Sequence, residues 1–548
     1  MSTQTTSSDE PTTPLIKKPP LRRPTYQRRR SSFEASTYNS AGQSTGYLKI
    51  PKDGTDTLPG LSTFELVCLT ICMAGVQFTW TVELSYGTPY LLSLDLSKEL
   101  TASVWLAGPL SGLIVQPLIG AFSDKCTSRF GKRRPYIVVA GFLTCVSMLG
   151  VAYAKDIGYY LSRNQQENEH LYSIIVAVSS FYFLDFTLNA VQAICRALIL
   201  DIPPLWQQDE ANAWSARMSN LAMVIGYFVG AVDLVKYMPW LGNSQMKLFC
   251  LLSIFVFCFT LLVTCYSTHE KMSDRDQLDN QTPWYHTLIY IWKALRHLPR
   301  PIQTLCNTQF FAWMGWFPFL FYSTQWVSDL YFATQSSDRK NHGNWADGSR
   351  MGSLALLCYS VVSVIAGFMI PALSNKFSSV KCMSLTNIYT TSHLISAACL
   401  LSTWFIRSVT GAIVVLSIMG VSWAIVLWVP FSLVGEYVSY DDENRQRQQQ
   451  QQQRLEYGSS SSGSQLETGQ QDGDDFDAGL ILGVHNMYIV FPQFAVAVIS
   501  ALIFAADDAL EPPTHVDSPT SSVALVLTFG GMMALVAAAL SRYIIRVE

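Results

Sequence analysis

About twelve stretches of roughly 20 predominantly apolar residues recur along this chain, and each is long enough for a helix to cross a bilayer. They fall at about 62–92, 103–123, 135–154, 172–200, 215–238, 247–267, 306–332, 351–374, 382–403, 409–438, 478–505 and 521–543. By composition alone, 548 residues with 49% hydrophobic and 14% charged side chains could form two soluble domains. The even recurrence of the stretches excludes that reading. The expected fold is an all-α membrane protein with twelve transmembrane helices in two six-helix bundles.

Lys and Arg set the orientation. With an even number of spans both termini share a side, and about 27 of the 37 basic residues lie in segments on that side, against about nine on the other. The positive-inside bias therefore places both termini in the cytoplasm. One basic residue, Arg196, belongs to no loop. The net charge of -3 says little, because the charge lives in loops. Twelve cysteines scatter mostly through the spans with no CxxC or Cys/His spacing, which reads as apolar packing rather than a metal site. The first 50 residues are polar and basic with no short apolar core, so no cleavable signal peptide is expected and the first span serves as signal-anchor.

Residues 1–60 read as a disordered cytosolic tail. Within it, "RRRSSFE" (Arg28 to Glu34) reads either as a kinase site beside a polybasic patch or as a solvated basic run drawn to the inner leaflet. The expected N-terminal bundle is 61–267, followed by a cytosolic linker at 268–305 whose Trp284–Leu298 portion suits an amphipathic surface helix. The C-terminal bundle is expected over 306–548, interrupted by a disordered Gln-rich cytosolic insert at 441–477. "GAFSDK" (Gly120 to Lys125) after span two and "PALSNK" (Pro371 to Lys376) after span eight occupy corresponding places. With the six-plus-six division, they point to a duplicated transporter.

Span four, "FYFLDFTLNAVQAICRALILD", carries polar groups where hydrocarbon faces are expected. Asp185, Asn189, Gln192 and Arg196 are spaced four, three and four apart, which puts them within about 60° of one another on a helix. Leu184, Phe186, Leu188, Val191, Ile194 and Leu198 occupy the other faces. A charge at mid-bilayer costs at least about 2.5–3.5 kcal/mol, so this stripe must face protein or water. Asn189 and Gln192 suit either interhelical hydrogen bonds or a substrate. Eleven residues rise roughly 16 Å, too far for Asp185 and Arg196 to pair directly. Span one, "GVQFTWTVELSYGTPY", adds Glu83. Arg196 cannot deprotonate at usable pH. Two acids facing one permanent cation leave at least one acid able to titrate, which is the requirement for proton coupling. Asp185 is the expected titrating group and Glu83 the expected partner of Arg196. A sugar suits the remaining groups, since hydroxyls take bidentate donors and acceptors such as Arg196, Asn189, Gln192 and Gln77. Trp80 and Phe78 could stack on a pyranose face or simply pack. Asp233, Glu436 and His485 are further ionisable groups, read as structural or gating.

The loop after span two, "GAFSDKCTSRFGKRRPYI", resembles the signature loop of the major facilitator superfamily. That resemblance implies that Gly120, Asp124, Arg129, Gly131, Arg133 and Arg134 form a latch holding one access state. More narrowly, "WLAGPLSGLIVQPLIGAFSDKCTSRFGKRRPYI", "LDFTLNAVQAICRALILD", "GWFPFLFYSTQW" and "GLILGVHNMYIVFPQ" are together similar to the glycoside–pentoside–hexuronide:cation symporters, which include plant and fungal sucrose and α-glucoside carriers. The resemblance runs from about residue 62 to 505. It implies proton coupling at Asp185 and sugar binding at Arg196. Two departures stand out: Ser323 and Gln325 occupy positions where plant carriers have acids, and Glu83 stands where they have a neutral residue.

The expected activity is proton-coupled import of a disaccharide, sucrose or a maltose-type α-glucoside, by alternating access. Disaccharide, protons and lipid are the expected partners, with no cofactor beyond the coupling proton and no nucleic acid. No nucleophile–base pair, phosphate loop or metal cluster points to an enzyme. The plasma membrane is the expected location, the vacuolar membrane the alternative. A facilitative or vacuolar carrier and a non-transporting sugar sensor remain alternative functions. The topology has a direct check in the sequon Asn280-Gln281-Thr282, which falls in the predicted cytosolic linker. Endoglycosidase treatment of protein from a glycosylating host should leave its gel mobility unchanged, and a glycan at Asn280 would overturn the topology.

Overall fold

The structure, a computed structural model, describes residues 60–124, 126, 128–162, 166–204, 207–268, 270, 298–334, 345–377, 380, 383–459, 478–510 and 522–544. Residues 1–59 with the kinase-like motif, Trp284–His297 of the linker segment and Asn280 lie outside the described residues. The helices in chain order are α1 (Thr63–Thr70), α2 (Cys72–Leu92), α3 (Lys98–Val104), α4 (Ala107–Asp124), α5 (Arg134–Ala152), α6 (Ala154–Leu161), α7 (Gln166–Asp201) and α8 (Gln208–Ala231). They continue with α9 (Leu234–Tyr237), α10 (Gln245–Ser267), α11 (Arg300–Ala333), α12 (Trp345–Lys376), α13 (Leu385–Ser402), α14 (Val409–Ser459), α15 (Ala478–Leu510) and α16 (Ser522–Ser541).

Local chemistry explains the starts. Ser62 and Glu65 form a reciprocal capping box on α1. Ser97 and Ser384 cap α3 and α13 through their hydroxyls. Pro135 and Pro301 sit in the first turns of α5 and α11, where a missing N–H costs nothing. Ile71 keeps right-handed helical dihedrals, so α1 and α2 together make one span.

Nine of these segments are apolar and long enough to cross a membrane. The polar-rich α8, α11 and α13, with 24, 34 and 18 residues, are also of bilayer length. They bring the crossings among the described residues to twelve, at the twelve places read from the sequence. Their polar residues are affordable because each packs within the protein: α8 on α2 and α12, α11 on α16 and α12, and α13 on α16 and α14.

The helices up to α10 pack mainly on one another, as do those from α11 onward. The segments meet principally through α8 with α12, α3 with α15 and α2 with α11. Successive crossings alternate direction. Thr63, the loop between α4 and α5, and the chain leaving α10 therefore share one face, called the near face below; Leu92, Lys98 and Trp345 lie toward the far face.

Three boundaries differ from the sequence reading. The C-terminal group begins at Arg300 instead of 306, because Pro301 starts the helix earlier. Span five ends at Ala231, and Asp233 lies outside it as the N-cap of α9. Helix α14 runs through the glutamine tract to Ser459, within the 441–477 insert that the sequence reads as disordered. Gln, Arg and Glu are good helix formers, and extending an existing helix carries no nucleation penalty.

Helices α11 and α16 approach closely through small residues. A methyl group on Gly315 would lie 2.9 Å from the Gly530 carbonyl oxygen, and one on Gly530 would lie 3.0 Å from the Gly315 oxygen. Both neighbours are backbone, so neither can yield. Gly315→Leu should destabilise the detergent-solubilised protein by about 1–3 kcal/mol, read as a lower midpoint of thermal unfolding. Gly367→Ala, whose added carbon meets only Ala424 at 4.0 Å, should leave that midpoint unchanged.

Candidate functional site

Near mid-membrane, Glu83 of α2 and Asp185 of α7 point at each other. Each is about 2% exposed, and their carboxyl groups lie close enough to interact. Glu83 Oε2 has no further partner. Among the described residues no Lys or Arg pairs with either acid. The expected Glu83–Arg196 pair does not form. Glu83 lies level with Asp185, and Arg196 sits three helical turns away, roughly 16 Å closer to the near face.

Along α7 the stripe opens steadily. Asp185 and Asn189 are buried, Gln192 is half-buried and Arg196 is exposed. Protein nevertheless surrounds Arg196 closely enough to desolvate it. Gln77 and Trp80 lie half-buried on one side of α2, beside Glu83. Phe78 packs edge-on against Phe249 at 6.0 Å and belongs to the core.

Asn189 joins helices. Its Nδ2 donates to Ser111 Oγ at 2.7 Å and to the Asp185 carbonyl at 2.9 Å, and its Oδ1 accepts from Gln116 Nε2 at 2.9 Å. These bonds fix α4 against α7 beside the acids.

The far side of the site is sealed between the two helix groups. Trp105 stacks on Phe321 at 4.2 Å and donates its indole N–H to Thr88 Oγ1 at 3.1 Å. Thr88 donates to the Phe321 carbonyl at 2.7 Å, and Thr324 donates to the Leu84 carbonyl at 3.1 Å. Lys98 donates to Ser522 Oγ at 2.7 Å. Arg350 of α12 pairs with Asp233 at 2.5 Å and also with Asp347.

From Phe321 an aromatic ladder descends into the second helix group: Phe317 at 5.5 Å, then Trp313 at 5.3 Å, then Trp423 at 5.9 Å. Trp313 Nε1 and the nearby Tyr359 hydroxyl are buried without hydrogen-bond partners among the described residues. The sequence reading missed this ladder as a site. Its signal was available, since Trp313, Phe317 and Phe321 repeat every four residues along one helix face.

The loop between α4 and α5 forms a second charged cluster at the near face. Arg133 is 3% exposed and pairs with Asp201 of α7 at 2.8 Å. The backbone N–H groups of Lys132, Arg133 and Arg134 all donate to the Glu270 carboxylate, at 2.5, 2.8 and 3.0 Å. The Arg134 guanidinium lies 3.6 Å from it. Gly131 adopts φ +110°, and a methyl group there would strike Glu270. Arg129 lies over the Phe130 ring instead of joining the cluster. Gly120 and Asp124 lie in the last turn and a half of α4, and the Asp124 side chain is outside the described residues. Asp201 and Glu270 were missed from sequence, because ordinary helix-end acids reveal no partner.

Among the described residues, twelve bilayer-length crossings in two packed groups, around an interior lined by acids, amides and aromatics, define a membrane transporter. The chain belongs to the Major Facilitator Superfamily, whose family model matches residues 67–446. It is 28% identical to the general alpha-glucoside permease of Schizosaccharomyces pombe, over 90% of this chain and 95% of that protein. It is 25% identical to the sucrose transport protein SUC3 of Arabidopsis thaliana, over 81% of this chain and 83% of that one. The crystal structure of a D-xylose-proton symporter superposes with a TM-score of 0.53 at 13% identity, covering 88% of this chain and 97% of that one. That likeness concerns the fold.

Asp233 lies outside the membrane spans. Burial alone would raise its carboxyl, but bonds from the Arg350 guanidinium and the Lys236 N–H hold it below its ordinary value. A carboxyl so held contributes to closure above its ordinary value of about 3.9 and loses that contribution only as pH falls through the lower folded value. The far-face ion pair is therefore fully charged at pH 5–8. Asp233→Asn should change the rate of uptake and leave its pH midpoint unmoved; a shift of about one unit would assign proton sensing to this pair.

Proposed function

We propose that this chain is a proton-coupled symporter that imports a disaccharide by alternating access, with both termini cytoplasmic and the plasma membrane as its site. The near face is then cytosolic, in keeping with the excess of Lys and Arg in its loops. The observation that carries the reading is the Glu83–Asp185 contact. Two carboxylates pressed together in a buried place, with no cation, repel one another and lack solvation. A proton shared between them removes one charge, so proton binding and the state of the site are linked.

The far-face seal and the opening toward Arg196 suit a carrier facing the cytosol. Arg196, without an acid partner among the described residues, offers a planar donor fork to sugar hydroxyls. Gln192, Gln77 and Trp80 stand on the same interior, and the unpartnered Trp313 and Tyr359 supply stacking and donors from the opposite group. Near the cytosol, Arg133–Asp201 and the Glu270 cradle hold α5 to α7 and to the end of α10, so the first group can move as a unit. The permease and sucrose-transport names of the relatives support a disaccharide as cargo.

The energetics are sufficient. A proton moving through about 100 mV releases about 2.3 kcal/mol. A tenfold proton gradient adds about 1.4 kcal/mol, together enough for a roughly 500-fold sugar gradient.

The test is uptake of labelled sucrose and maltose by a transport-deficient cell, with and without a protonophore. Wild type should accumulate one or both sugars and lose accumulation with the protonophore. Asp185→Asn should equilibrate sugar without concentrating it. Full pH-dependent accumulation by that variant contradicts the assignment, and protonophore-insensitive equilibration by wild type favours a facilitator.

A further inference from the structure

We propose that Gln493, supplied by the second helix group, is the side chain through which that group reads the protonation of the Glu83–Asp185 pair. The inference rests on the coupling reading above and extends it to the part of the molecule that must respond.

Gln493 lies on α15, which crosses α4 beside the acids. A methyl group built on Gly108 of α4 would lie 2.7 Å from Gln493 Nε2, 3.6 Å from its Cδ and 3.8 Å from Asp185 Oδ1. The amide and the carboxyl therefore flank the space that any side chain at 108 would occupy. The crowding is local. One turn along, a methyl group on Gly112 would make only an ordinary 3.9 Å contact with Val490.

Gly108 and Asp185 are tied together within the first group. Ser111 Oγ donates to the Gly108 carbonyl at 2.8 Å and accepts from Asn189, which also donates to the Asp185 carbonyl. Gln493 thus approaches a prebuilt corner from across the interface along which the groups must slide. Pro492 precedes it within α15. Proline lacks an N–H and interrupts the helix ladder, a common point of bending.

The chemistry of an amide suits this role, because it offers both donor and acceptor. Toward an ionised carboxylate it donates an N–H, and such charge-assisted bonds are about twice as strong as neutral ones. Toward a protonated acid it can only exchange neutral hydrogen bonds. On this proposal an ionised Asp185 draws the amide across the space beside Gly108 into such a bond, and proton binding releases it at the place where the groups part. A carrier lacking this tie still moves sugar, but the proton no longer biases its direction.

The experiment uses the full chain in intact cells with labelled sucrose and maltose, measuring accumulation, its pH profile and counterflow. Counterflow, the exchange of labelled for unlabelled sugar, needs only the loaded carrier to reorient. Gln493→Leu should lower accumulation by about tenfold and flatten the pH profile while counterflow persists. Gly108→Ala should do the same by displacing an intact amide, and Gly112→Ala should behave as wild type in all three. Wild-type accumulation and pH profile in Gln493→Leu overturn the proposal. So does loss of counterflow in Gln493→Leu with Gly108→Ala unaffected, which would assign the amide to sugar binding or folding. Failure of the underlying coupling reading is separately visible, as wild-type uptake indifferent to a protonophore.

Discussion

Two carboxyl groups meet in the middle of this protein with no cation among the described residues to balance them. That is an expensive arrangement: each has lost its water, and the two repel at contact distance. A proton relieves both costs at once. The surroundings are ordered around this corner. Asn189 and Ser111 clamp the helices that bear it, glycine at 108 leaves room for an amide from across the interface, and Arg196 is set apart on the same stripe, too distant to neutralise either acid.

The two ends of the molecule are held by different means. Toward the far face the helix groups are joined by a stacked Trp105–Phe321 pair, backbone-directed threonines and the Arg350–Asp233 ion pair. Toward the near face Arg133–Asp201 and the Glu270 cradle fasten the first group to itself and to the chain leaving α10. A rigid first group and a far-face seal of few, directional contacts suit rocking of one group against the other.

Much of this was legible in the sequence because membrane spans are set by length and polarity, both local properties. The twelve crossings, the stripe on α7 and the charged loop after α4 were read directly. The helical glutamine tract was misjudged because low complexity was equated with disorder, although the residues themselves favour helix. The pairing of Glu83 failed for a different reason. The depth and rotation of α2 relative to α7 are set by packing, and nothing in a single span encodes them. Gln493, Asp201 and Glu270 share that limitation, since each acquires meaning only from a neighbour more than sixty residues away in the chain.

The most direct measurement is the proton itself. In proteoliposomes containing the purified protein and an internal pH-sensitive dye, sugar added outside without any imposed gradient should acidify the lumen. That signal should vanish when Glu83→Gln and Asp185→Asn are combined. Sugar-evoked acidification of wild-type size in the double variant would mean the proton travels elsewhere, and the acid pair would lose its role.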